Sequence, residues 1–97
     1  MYPFQPQLVS AINTGSPLTI QKGGTQRTFI PLLVGLLDSG ANAVHGVEFA
    51  NQGPRYRTWH LSNVEGVGPC DIDVRLSAID KPTHRTLRCF ARIECQC

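Results

Sequence analysis

Thr28-Phe29-Ile30-Pro31-Leu32-Leu33-Val34-Gly35-Leu36-Leu37-Asp38-Ser39-Gly40 is the stretch on which the fold of this 97-residue chain turns. As a helix it has Thr28 as N-cap, Pro31 in the first turn and Gly40 as a left-handed stop. As a strand it is one buried run from Ile30 to Leu37. Periodicity does not separate the two, because nearly every position is apolar. The capping residues at both ends tilt residues 29–39 towards a helix.

Outward from this stretch the patterns are those of strands. Ala43 to Phe49 and Arg55 to Asn63 read as strands divided by the turn Asn51-Gln52-Gly53-Pro54. In the second, Trp59 and Leu61 share one face while Tyr56, Thr58 and His60 share the other. Upstream, Gln7 to Asn13 and Leu18 to Lys22 are short strand candidates around the turn cluster Thr14-Gly15-Ser16-Pro17. Residues 1–6, with Pro3 and Pro6, form an extended N-terminal arm in this reading. Glu65-Gly66-Val67-Gly68-Pro69 has the composition of a flexible loop.

The last thirty or so residues alternate cleanly. Ile72, Val74, Leu76 and Ala78 point one way, and Leu87, Cys89, Ala91, Ile93, Cys95 and Cys97 form a second dry row. Lys81-Pro82-Thr83-His84 between them suits a tight turn with Pro in its second position. Pairing Lys81 with His84 sets Leu76 opposite Cys89, Val74 opposite Ala91 and Cys70 opposite Cys95. Residues 1–97 are then expected to form a single domain, α+β or mainly β. Its core would be an antiparallel meander sheet with a C-terminal β-hairpin and at most one short helix packed on one face.

Composition narrows the function classes. Hydrophobic residues make up 41% of the chain, enough for a core, while only 16% of residues are charged; about 25% is usual. Depleted charge is a property of interface centres, which points to self-association or to binding other assembly proteins. The net charge of +2 is too small for bulk attraction to nucleic acid. No apolar run reaches a membrane-spanning length and no basic-then-apolar leader opens the chain. A cytoplasmic or virion location is expected. A non-enzymatic self-associating assembly or binding subunit follows, set most naturally among phage or virus structural or accessory proteins.

Three constellations offer more specific chemistry. Leu36-Leu37-Asp38-Ser39-Gly40-Ala41 resembles the catalytic motif of retropepsin-like aspartic proteases. That resemblance implies a β-rich homodimer in which each Asp38 carboxyl shares a proton with its symmetry mate. Leu18-Thr19-Ile20, Gly23-Gly24 and a flap around Glu65 to Gly68 would belong to it. The family's second motif, an apolar pair followed by Gly, is missing, because Leu87 to Cys97 contains no glycine. Ser39 to Phe49 also resembles the helix–Gly–Ala–Asn–strand junction of small oligomeric α+β families, in which Asp38 would lie in the last helical turn.

Arg55-Tyr56-Arg57-Thr58-Trp59-His60 interleaves cations and aromatics, as single-strand binders do. On a strand Arg55, Arg57 and Trp59 share a face, an arrangement for an Arg-dependent nucleic-acid-binding module; Trp59 also fits a core position. The four cysteines are Cys70, Cys89, Cys95 and Cys97. The hairpin register would allow a Cys70–Cys95 disulfide or leave buried thiols. Structural zinc needs four ligands, and Cys89 would lie about 20 Å along its strand from Cys95. No metal and no cofactor is expected.

Overall fold

The computed structural model describes residues 3–50, 53–70 and 84–96. Its elements are α1 (Gln5–Thr14), β1 (Leu18–Lys22), β2 (Thr25–Leu37), β3 (Asn42–Ala50), β4 (Gly53–His60), a 3-10 turn (Leu61–Asn63), β5 (Val64–Pro69), the helical turn α2 (His84–Leu87) and β6 (Phe90–Gln96). The protein is mainly β: among the described residues an antiparallel, meander-like sheet runs in the order β4-β3-β2-β1-β5, with the short helix α1 packed on it.

The first helix replaces both the expected strand at Gln7 to Asn13 and the end of the expected arm. Pro3 and Phe4 form a turn and Gln5 opens α1, so the extended arm does not reach residue 6. Pro6 stands in the first helical turn, where a missing N–H costs nothing. Leu8, Ala11 and Ile12 recur at helical spacing and are buried. The helix stops at Gly15, whose N–H bonds the Ala11 carbonyl.

The decisive stretch is a strand. β2 runs for 13 residues and is buried continuously from Phe29 to Gly35. Its apolar run therefore reflects burial on both faces of a central strand. Pro31 is tolerated because the β2–β3 register shifts between Pro31 and Leu33, a bulge where a ladder donor is not required. Gly40 does take a positive φ, +92°, but it closes a hairpin rather than a helix. The turn is held by Leu37 N–H to Ala41 O at 2.8 Å and Gly40 N–H to Leu37 O at 2.9 Å. The features that mimic a helix end are those of a tight turn between β2 and β3.

β2 is flanked by β3 along one side and shared on the other: β1 pairs with its first half, β6 with Leu33 to Leu37. The expected loop at Glu65 to Pro69 is strand β5, with Gly68 opposite Thr19 and Val67 opposite Ile20. Of the expected C-terminal hairpin, Asp71 to Ala78 and most of the turn lie outside the described residues. Its second strand begins at Phe90 instead of Leu87, because His84–Leu87 is helical.

The sheet is curled. The 3-10 turn carries the chain from β4, at one end of the strand order, to β5 at the other. Five flat strands would hold those ends about 19 Å apart, whereas a 3-10 segment of this length advances only about 8 Å. Curling closes the gap and gathers Ile20, Phe29, Val34, Val44, Trp59, Leu61 and Val64 into one core with Leu8 and Ile12 of α1. Gly46 lies in this concave face beneath the Phe29 ring. A Cβ there would fall 2.7 Å from Phe29 Cζ and 2.2 Å from the Ile30 carbonyl oxygen, so only glycine fits.

Candidate functional site

Register fixes which side chains meet on the concave face. Phe29 pairs with Glu48, Glu48 with Arg55, Gly46 with Arg57 and Val44 with Trp59. Directly paired residues point to the same side of an antiparallel sheet, so Glu48, Arg55, Arg57, Trp59 and Phe29 share the face that α1 covers. Arg27, two residues before Phe29, joins them, as do Ile20 and Lys22 through the β1–β2 pairing.

Around Trp59 these residues form a mixed cluster. The Phe29 ring stacks on the indole with centroids 4.6 Å apart. Lys22 Nζ stands 5.4 Å from the indole centroid and Arg27 Cζ 5.8 Å, both within cation–π range. Arg27 Nη1 donates to Glu48 Oε2 at 2.8 Å, and Arg57 Nε stands 3.5 Å from Glu48 Oε1. The Glu48 side chain is only 8% exposed, against 34% for Arg27 and 44% for Arg57. The carboxylate is therefore the most shielded member of the three, and its two cationic partners are the more exposed side chains. Arg27 Nε is buried with no hydrogen-bond partner.

Of the expected nucleic-acid residues, Arg55, Arg57 and Trp59 do share a face, but Trp59 belongs to the core. It is 8% exposed and its ring is occupied by Phe29 and two cations, so it offers no platform for a base. Lys22 and Arg27, which join Arg57 here, come from β1 and β2. They lie thirty or more residues away in sequence, beyond the reach of local spacing. The signal that could have found them is the Lys22-Gly23-Gly24 hairpin, which brings Lys22 and Thr25 into register and Arg27 beside them.

On the opposite face His45 pairs with Thr58, and its Nδ1 lies 2.9 Å from Thr58 Oγ1. The Tyr56 ring is stacked near it with centroids 6.1 Å apart. Burial lowers the His45 pKa below its ordinary 6.5. The same face holds an open polar groove of about 670 Å³ lined by Thr19, Gln21, Gln26, Thr28, Gly66 and Gly68 among others.

Asp38 is exposed in the β2–β3 turn, with its backbone N–H bonded to Cys89 O at 3.1 Å. It ends a strand, as the protease resemblance implies, and not a helix. Cys70 follows β5, while Cys95 lies in β6 opposite Val34 and donates from Sγ to Asn13 Oδ1 at 3.4 Å. The two cysteines stand as thiols and are not joined to each other. The register that would oppose them runs through Asp71 to Ala78, outside the described residues. Among the described residues no three His, Cys, Asp or Glu side chains gather to hold a metal, and no helix is long and apolar enough to cross a membrane. No family model, curated protein or solved structure matches this chain.

Proposed function

We propose that the protein is a non-enzymatic subunit that associates with copies of itself through the β4 side of its sheet. A structural or accessory role in a phage or virus, in the virion or the cytoplasm, is the setting that suits it. The observation that carries this is the state of β4. Among the described residues it ends the strand order, and Pro54, Arg55, Tyr56, Arg57 and Thr58 are all exposed. Tyr56 is a large aromatic left 48% exposed. A strand at the end of a sheet is a template for pairing with another chain, and exposed aromatics supply the apolar anchor of such contacts. The 16% charge content points the same way.

The test is solution mass by light scattering, with Tyr56→Lys as the edge-blocking variant. Wild type is expected above the 10.7 kDa chain mass, and Tyr56→Lys at the chain mass with an unchanged circular dichroism spectrum. A multimer indifferent to Tyr56→Lys would place the interface elsewhere and sink the β4 assignment. The exposed, strand-terminal Asp38 favours one other reading, the retropepsin-like homodimeric protease. Peptide cleavage that disappears in Asp38→Asn would establish it in place of the non-enzymatic role.

A further inference from the structure

We infer that Lys22, Arg27 and Arg57 form a binding strip for the phosphodiester backbone of nucleic acid. Three cations from three strands converge around one indole and one carboxylate. Three positive charges against Glu48 leave +2, which equals the formal net charge of the whole chain. The vertical order matters as much as the count. Glu48 is the shielded member, and the Arg27 and Arg57 side chains paired with it are much more exposed. An approaching ligand meets the cations first.

Glu48 also holds the forks in place. Arg27 is fixed by a 2.8 Å charge-assisted bond and by the Trp59 ring, so little side-chain entropy remains to be lost on binding. Planar guanidinium groups match phosphate oxygens in geometry as well as charge. The neighbouring acid Glu65 is engaged elsewhere, accepting the Gly24 N–H at 2.8 Å.

The same geometry says what kind of recognition this is. Trp59 is covered, so no base stacks on it, and the more exposed side chains of the strip are its cations, with Glu48 buried among them. Contacts of this type position a backbone and carry no base information. Binding is therefore independent of sequence and strongly dependent on salt. It does not require self-association, although β4 pairing would bring the strips of two copies side by side.

The experiment is fluorescence anisotropy with labelled single-stranded RNA, single-stranded DNA and duplex DNA, each in two unrelated sequences, from 50 to 300 mM salt. For a single strand the expected log–log salt slope is about −2, the value for three phosphate contacts. Arg57→Gln should weaken binding to both sequences alike and reduce the slope by about 0.7. Lys22→Gln, which removes the cation standing over the Trp59 ring, gives the same readout should Arg57→Gln fail to fold. The three arms identify which form of phosphate backbone the strip takes. Absence of salt-dependent binding at 50 mM, or slopes unchanged in both variants, would overturn the inference.

Discussion

The concave face of the sheet is built differently at its two ends, and Trp59 is where they meet. Towards α1 its core is apolar: Leu8 and Ile12 pack with Phe29, Val34 and Val44, all 0–3% exposed. Towards the β1–β2 hairpin the same face carries Lys22, Arg27, Glu48 and Arg57. The first end needs only burial, and its stabilisation scales with apolar area. The second spends a buried carboxylate, which breaks even only when its partners are well placed. Polar groups retained at such a cost are where function is to be sought, and a core that could have been apolar throughout is not.

Trp59→Ala should produce the largest effect, because it removes the Phe29 stack and both cation contacts at once. A loss of about 3–5 kcal/mol is expected, read from urea denaturation. A loss below about 1 kcal/mol, the size of an ordinary surface change, would mean that the two ends are independent. Glu48→Gln comes next. Breaking a fully buried pair costs about 3–5 kcal/mol, but Arg27 and Arg57 are a third or more exposed, so about 1–2 kcal/mol is expected. The same substitution should strengthen nucleic-acid binding, since it removes the carboxylate that Arg27 and Arg57 share. A variant that loses both stability and binding would show that Glu48 positions the cations more than it opposes them.

The smallest effect belongs to the opposite face. Burial lowers the folded-state pKa of His45 below its unfolded value near 6.5, so below that pH the unfolded chain takes up a proton that the folded chain resists. The stability concerned is present above about pH 6.5 and declines as pH falls. Melting temperature should drop between pH 7 and pH 5, and His45→Gln should flatten the curve. A His45→Gln profile as steep as wild type would assign the dependence to other groups.

These two ends were unequally legible in the sequence. Ala43 to Phe49 is a strand as expected, although it is buried on both faces from Ala43 to Glu48. The strand expected over Arg55 to Asn63 ends at His60, because Leu61–Asn63 leaves the sheet as a 3-10 turn that buries Leu61 in the core. β2 does not alternate because it is covered on both sides, and its terminal Thr28 and Gly40 are equally good as helix caps or turn residues. α1 was masked by its short length and flanking prolines, although Pro6 in a first turn and Leu8, Ala11, Ile12 at helical spacing were present. β5 was hidden by Gly66, Gly68 and Pro69, whose strand form is imposed by pairing with β1 rather than by propensity. The charged cluster joins Lys22, Arg27, Glu48 and Arg57 through the register of four strands, and no local pattern encodes such a meeting. Arg57 could be singled out from its neighbours; its partners could not.

Light scattering across a salt series tests self-association through β4 most directly. Antiparallel or staggered pairing of two β4 strands sets Arg55 and Arg57 of one copy near those of the other, and like charges in proximity oppose the contact. Screening that repulsion should favour assembly, so the mass is expected to be a multiple of 10.7 kDa and to rise between 50 and 500 mM salt, where nucleic-acid binding falls. A mass of one chain at every salt concentration, with protein at hundreds of micromolar, would contradict it.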